Sequence, residues 1–209
     1  MPKILIADDH AIVREGLRRI AEQHADMLVG EASNGQEVLA KIREEHWDVL
    51  VLDISMPDGS GLDVLQEVKH IAADLPVLVL SMHPEEQYAL RVIKAGASGY
   101  MNKDSAPDEL LQAIRKVIDG GRYVSQTLAE KLAFELGDST ARLPHETLSN
   151  REYSVLLMIG AGKSVSEIAD ALSLSAKTVS TYRTRVLVKL NLRNNAELVR
   201  YVIDHQLVI

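Results

Sequence analysis

Val49-Leu50-Val51-Leu52-Asp53-Ile54-Ser55-Met56-Pro57-Asp58-Gly59-Ser60-Gly61 is the stretch whose reading decides the fold. Four consecutive apolar residues, Val49 to Leu52, form the pattern of a strand buried on both faces, as in a parallel sheet. Asp53 follows where the strand runs out, and Pro57, Gly59 and Gly61 force a loop. A carboxylate is thus placed at the carboxyl end of a core strand. In open α/β sheets ligands bind in the crevice at those ends. The competing reading is an aspartate that caps the next helix, but the nearest N-cap candidates, Ser60 and Asp63, lie well downstream.

Working outward, the same pattern recurs. Lys3-Ile-Leu-Ile-Ala7 is a short buried strand that ends in Asp8 and Asp9. Helical spacing follows from about Ile12 to Ala21, with Val13, Leu17 and Ile20 on one side. Leu28-Val29 starts a strand, and Ser33 or Asn34 opens a helix through Val38, Leu39 and Ile42. After the Asp53 strand, Leu62, Leu65, Val68 and Ile71 mark a helix. Pro76 precedes the buried strand Val77-Leu-Val-Leu80, which ends in Ser81. Pro84 suits the first turn of a helix that stops at Gly96. Ser98-Gly-Tyr-Met101 is a strand leading to Lys103. Ser105, with Asp108 three residues on, opens a last helix closed by Gly120-Gly121. Five strands alternating with five helices imply an α/β doubly wound parallel sheet with right-handed crossovers.

The strand ends gather Asp8, Asp9, Asp53, Ser81 and Lys103 at one edge of that sheet. Three carboxylates brought together repel and raise one another's pKa. A hard divalent cation relieves this; Mg²⁺ takes oxygen ligands and bridges carboxylates to phosphate. A nearby lysine can hold phosphate as a point charge, and a serine hydroxyl can donate to it. The set suits phosphoryl transfer onto a carboxylate. His10 lies beside the acid pair, but Mg²⁺ prefers oxygen, so it is read as packing at the helix start. His83 reads as an exposed loop residue or, alternatively, a neighbour of an attacking water. Trp47 is expected to pack against the sheet edge.

The 209 residues are 46% hydrophobic, ample for a packed core, and contain no cysteine, which excludes disulfides and thiolate metal sites. Apolar runs are too short for a membrane span and the N-terminus lacks a secretory pattern, so a cytoplasmic protein that does not engage the membrane is expected. Charge is uneven. Residues 1–120 carry 12 Lys and Arg against 21 Asp and Glu, whereas residues 121–209 carry 11 against 9. Within 176–200, Lys177, Arg183, Arg185, Lys189, Arg193 and Arg200 face only Glu197. An acidic first half and a locally basic second half suggest two domains with different partners.

Residues 121–146 read as a linker with one short amphipathic helix through Leu128, Leu132, Ala133 and Leu136. Beyond it, Ser149-Asn-Arg-Glu152 and Ser164-Val-Ser-Glu167 are capping boxes that open two helices. Ser173-Leu-Ser175 is a tight turn, a third helix runs from about Ala176 to Leu190, and Asn194 or Asn195 caps a fourth. This is a helix-turn-helix pattern. At about 100° per residue, Val179, Val186 and Leu190 share one side with Arg183 at its border. The other side carries Lys177, Ser180, Thr181, Thr184 and Val188, with Arg185 and Lys189 on the flanks. Short hydroxyls and lysine can reach base edges in a major groove, and flanking cations can reach phosphates. An ordinary solvated helix face is the competing reading.

With Asp8-Asp9, Asp53 before Met56-Pro57-Asp58-Gly59, Ser81, Tyr100 and Lys103 in order, residues 1–120 resemble the receiver domain of two-component response regulators. The resemblance implies a flavodoxin-like fold in which Asp53 accepts a phosphoryl group from a sensor histidine kinase. It implies Mg²⁺ held by Asp8, Asp9, Asp53 and the Ser55 backbone carbonyl, and Lys103 pairing with phosphoryl oxygens. Ser81 would swing to hydrogen-bond the phosphoryl group and Tyr100 would turn inward. Asp104 stands after Lys103 where many receivers carry proline.

Residues 147–209 resemble the LuxR-type DNA-binding domain through Leu148-Ser149-Asn150-Arg151-Glu152, Ile168-Ala169 with Leu172, Lys177-Thr178-Val179 with Tyr182-Arg183, and Lys189-Leu190. The chain is thereby similar to the NarL/FixJ class. The resemblance implies a transcriptional regulator, not an enzyme, binding double-stranded DNA as a homodimer, with RNA polymerase as a further partner. Its recognition helix would contribute Lys177, Thr178, Ser180, Thr181, Tyr182, Arg183, Thr184, Arg185, Val188 and Lys189. In relatives of this class the unphosphorylated receiver covers that helix. Many members carry lysine where Ser180 stands and histidine where Tyr182 stands. Two rivals remain at this point: an aspartyl-phosphate phosphatase, which usually needs an acid where Ser55 stands, and a C-terminal domain that docks protein rather than DNA.

Overall fold

A computed structural model describes the backbone of residues 1–25, 27–56, 61–82, 85–105, 107–137, 143–205 and 207, with side chains for the same residues except 23–25, 86, 87, 131 and 133–137. Pro57, Asp58, Gly59, Ser60, His83 and Pro84, and the side chains of Ala133 and Leu136, therefore lie outside the described residues. The chain divides into two compact units, Met1–Ala133 and Phe134–Ile209.

The first unit alternates β1 (Lys3–Ala7), α1 (Ala11–Ala25), β2 (Leu28–Ala32), α2 (Gly35–Glu44), β3 (Val49–Asp53), α3 (Gly61–Ile71), β4 (Val77–Ser81), α4 (Glu85–Lys94), β5 (Gly99–Asn102) and α5 (Pro107–Ile118). The strands pair in parallel in the order β2-β1-β3-β4-β5. The apolar runs explain which strands are central: β3 and β4 are buried at every position, whereas the edge strand β2 is buried only at Ala32. Right-handed crossovers that reverse direction after β2 put α1 on one face and α2 to α4 on the other. Ile4, Ile6, Val49, Val51, Leu78, Leu80 and Met101 pack with Ala21 of α1 and with Leu110, Ala113, Ile114 and Val117 of α5 on the first face. Trp47 is buried over Gly30 of the edge strand, its indole N–H donating to the Lys41 carbonyl at 3.1 Å.

Of the two expected openers of α2, Asn34 is the N-cap, accepting from the Glu37 N–H. Asp63 lies inside the first turn of α3 rather than capping it. α5 is described from Pro107, whose fixed φ suits the first helical turn. Past α5, Tyr123 forms a parallel bridge with Gly99 of β5. Its N–H donates to the Ser98 carbonyl at 2.9 Å and its carbonyl accepts from the Tyr100 N–H at 3.1 Å. Ser125 then donates to Glu85 at 2.7 Å and accepts from the Leu128 N–H, starting α6 (Gln126–Gly137).

The second unit has a 3₁₀ turn (Pro144–Thr147), α7 (Asn150–Gly160), α8 (Val165–Ala171), α9 (Ala176–Lys189) and α10 (Asn195–Asp204). Both capping boxes form, Ser149 with Glu152 and Ser164 with Glu167. Ser173 takes a positive φ of 52° in the turn between α8 and α9. Leu156, Ile168, Val179, Val186, Leu198 and Val202 are fully buried and bring α7 to α10 around one core.

Gly61 fixes the turn that carries the chain away from Asp53. A Cβ there would stand 2.4 Å from Ile54 Cα and 2.8 Å from the Asp53 carbonyl oxygen. Gly16, in helix α1, has open space around its would-be Cβ. In urea denaturation Gly61→Ala is expected to destabilise the first unit by about 1–3 kcal/mol, whereas Gly16→Ala stabilises it by about 0.5–1 kcal/mol.

Candidate functional site

The order of strands reverses between β1 and β3, and the crevice at their carboxyl ends is where such a sheet binds ligands. Asp8 follows β1 and Asp53 closes β3; both are about 1% exposed. Lys103 follows β5, with its backbone N–H bound to the Ser81 carbonyl at 2.9 Å. From there its ammonium reaches Asp8 Oδ2 at 2.5 Å and Asp53 Oδ2 at 2.7 Å. Asp53 Oδ1 accepts the Ser55 N–H at 2.9 Å. The sheet thus brings together Asp8, Asp9, Asp53 and Lys103, as the strand ends imply.

One ammonium serves two buried carboxylates. Burial pushes the Asp53 carboxyl above the usual range; Lys103 and the Ser55 N–H oppose this, and Asp8 adds to it. For Lys103, burial alone would lower the pKa, but the contacts to Asp53 and Asp8 outweigh it and hold the ammonium above its ordinary value. Counting Asp9, three acids face one lysine, so the site is short of positive charge. Ligand atoms of Asp8, Asp9, His10 and Asp53 all lie within 4.8 Å of one another. Asp9 Oδ1 is buried and has only the exposed His10 ring nitrogen beside it, at 2.9 Å. An acidic cluster of oxygen ligands with a single lysine to balance it fits a hard cation, so these residues could hold a metal ion.

His10 departs from its expected role as packing. Its ring is two-thirds exposed, its backbone N–H donates to Asp8 Oδ1 at 2.8 Å, and Nδ1 lies 2.9 Å from Asp9 Oδ1. Ser81 is fully buried at the end of β4. Tyr100 pairs in register with Val79 of β4, two residues before Ser81, so Tyr100 and Ser81 share a face of the sheet. Tyr100 is already buried in this structure. Sequence reading missed Arg14. Its Nη1 donates to the Asp8 carbonyl at 2.7 Å and its Nε to Glu31 at 3.1 Å, which fixes the main chain between β1 and α1. The available signal was a cation in the first turn of the helix after the acid pair.

In the second unit, the helix-turn-helix is α8 and α9. Val179 and Val186 are buried, Lys177, Thr181, Thr184, Arg185 and Val188 are exposed, and Ser180 and Tyr182 lie between. The outward hydroxyls are partly engaged: Thr181 donates to the Lys177 carbonyl, Thr184 to the Ser180 carbonyl, and Thr178 pairs with the cap hydroxyl of Ser175 at 2.8 Å. Their oxygens retain lone pairs toward solvent. Arg183 sits at the border and donates to Asn195 at 2.5 Å. The Arg185 guanidinium lies 6.0 Å from the Tyr182 ring centre. Lys189 does not project freely from the flank. Its ammonium rests on the buried carboxylate of Glu152 at 2.6 Å.

Comparison with known proteins agrees with this geometry. Residues 4–115 match the response regulator receiver domain, and residues 146–202 match the luxR family of bacterial regulatory proteins. The response regulator UvrY of Escherichia coli K12 is 38% identical over 209 residues, spanning 99% of this chain and 96% of the relative. The response regulator GacA of Pseudomonas protegens is 36% identical, spanning 100% of this chain and 98% of the relative. Among solved structures, RcsB of Salmonella enterica serovar Typhimurium, bound to the promoter rprA with the phosphomimetic BeF3−, is 27% identical. It covers 96% of this chain and 97% of its own, with a TM-score of 0.62. The chain belongs to the response regulators of the NarL/FixJ class, a receiver domain joined to a LuxR-type domain.

Proposed function

We propose that this protein is a phosphorylation-dependent, DNA-binding transcription regulator of a two-component system. The observation that carries this reading is the Lys103 ammonium set between Asp53 and Asp8 at the open end of the central strands. That arrangement presents a carboxylate nucleophile with a cation already beside it. A carboxylate oxygen of Asp53 attacks the phosphorus of a sensor histidine kinase's phosphohistidine. The P–N bond breaks and its electron pair leaves with the imidazole nitrogen, giving an acyl phosphate on Asp53. Lys103 pairs with the phosphoryl oxygens. Asp8, Asp9, Asp53 and the Ser55 backbone carbonyl would hold Mg²⁺. Bound there, Mg²⁺ supplies the positive charge that three carboxylates and an incoming phosphoryl group require. Ser81 hydrogen-bonds the phosphoryl group and Tyr100 follows it, forming the two-state element that the added charge biases.

In this reading residues 1–120 are the receiver, 121–146 the linker and 147–209 the DNA-binding domain. Transfer onto Asp53 modifies the protein itself, so the receiver is a switch and not an enzyme with steady turnover. Lys177, Thr178, Ser180, Thr181, Tyr182, Arg183, Thr184, Arg185 and Val188 would form the DNA-facing side of α9. The RcsB structures, one bound to the promoter rprA and one a DNA complex, support the reading that double-stranded DNA is the partner. A homodimer on DNA, contact with RNA polymerase and a cytoplasmic location complete the proposal. Among the described residues no helix is long and apolar enough to cross a membrane.

Two outcomes follow from the charge balance at Asp53. Asp53→Asn removes one of two buried carboxylates that share Lys103, so the metal-free chain should melt at a higher temperature than wild type at pH 7. Mg²⁺ should raise the melting temperature of wild type and do so much less for the variant; equal Mg²⁺ responses would remove Asp53 from the metal site. Treatment with beryllofluoride and Mg²⁺ should raise DNA affinity and dimerisation only where Asp53 is intact. Strong binding that ignores the treatment would show that the receiver does not gate α9.

A further inference from the structure

The sequence places Lys189 among the cations that meet DNA phosphates, and the structure gives it another position. Glu152 lies on α7 and is about 2% exposed. Among the described residues of the second unit it is the only buried carboxylate. Its Oε2 accepts two donors: the Ser149 N–H at 2.8 Å, which closes the capping box of α7, and the Lys189 ammonium at 2.6 Å. Lys189 is the last residue of α9. One carboxylate oxygen therefore ties the first turn of α7 to the last turn of the helix that carries the DNA-facing residues.

The rest of α9 leaves this tie with something to do. The helix is buried only along Val179 and Val186, with Leu190 as its C-cap, and its outer face carries no packing partner among the described residues. Such a narrow apolar seam sets the distance of α9 from α7 but resists rotation about the helix axis weakly. A charged contact at one end adds that restraint. Burial alone would raise the Glu152 carboxyl, but Lys189 and the Ser149 N–H reverse this and hold it below its usual range, so Glu152 is a carboxylate at neutral pH.

We infer that Glu152 and Lys189 are positioning residues for the recognition helix: their ion pair sets the orientation in which α9 presents its outer face, and Lys189 does not read DNA phosphate. This rests on DNA binding by the second unit. A lysine neutralised by an adjacent buried carboxylate releases little counterion from DNA, and removing it should leave the salt dependence of binding nearly unchanged.

Glu152→Gln separates the alternatives by sign. It removes a negative charge close to the proposed DNA face and keeps a side chain that can complete the capping box. If Lys189 reads phosphate, the variant frees it, and binding tightens with a steeper salt dependence. If the pair positions α9, binding weakens. The experiment measures the affinity of full-length, beryllofluoride-treated protein for duplex DNA between about 50 and 200 mM salt, for wild type, Glu152→Gln, Lys189→Gln and the double variant. Circular dichroism confirms that each is folded at the working temperature. Each single variant should lose about tenfold in affinity, and the double variant should lose no more than either single. The slope of log affinity against log salt should stay at the wild-type value, and Lys189→Arg should restore most of the binding. Tighter binding by Glu152→Gln would overturn the inference, as would a slope lower by about one for Lys189→Gln, while DNA binding itself stood. Failure of wild type to bind duplex DNA at any salt concentration would instead bring down the proposed function and this inference with it.

Discussion

Two buried carboxylates and one ammonium form the constraint on which the first unit depends. Leaving Asp8 and Asp53 buried and ionised with no counter-charge would cost several kcal/mol per group. Lys103 must therefore reach both at once. That requires β1, β3 and β5 to end at the same level, with β4 as the spacer that lets the lysine arch back over its neighbour. The order β2-β1-β3-β4-β5 meets the requirement, and the hydrogen bond from the Lys103 N–H to the Ser81 carbonyl fixes where the arch begins. Arg14 does the corresponding work at β1 by holding the Asp8 carbonyl. The site is thus built by the sheet and by two cations, and neither cation contacts the Asp9 carboxylate.

The second unit solves a different problem. Its helices are short, α8 having only 7 residues, and helices of that length are not stable alone in water. Side-chain caps at Ser149, Ser164, Ser175 and Asn194 satisfy the first N–H groups of α7 to α10. The apolar stripes then need only close a small core. Because that core spends its buried surface on holding helices together, orientation falls to polar contacts at the rim, of which Arg183 with Asn195 and Lys189 with Glu152 are two.

The elements of both units were legible because the signals were local. Apolar runs of four marked the fully buried β3 and β4, and the capping boxes marked α7 and α8 to the residue. The carboxylates at strand ends were legible for the same reason: a strand end is a sequence position. What was not legible depended on partners far apart in the chain. Lys189 looked like a free flank cation because its position on a helical wheel is set by α9 alone, whereas Glu152 lies 37 residues away. Arg14 and His10 were misjudged or missed because their roles depend on where Asp8 and Asp9 point.

The bridge at Tyr123 bears on where the first half ends. A boundary at residue 120, set by Gly120-Gly121, leaves that bridge on the wrong side of the cut. The Ser98 carbonyl and the Tyr100 N–H would then stand unpaired along β5, an outermost strand of the sheet. An open edge of that kind invites strands from other molecules to add to it, which is a route to aggregation. Tyr123 acts as a guard on that edge, and a self-contained first half must include it.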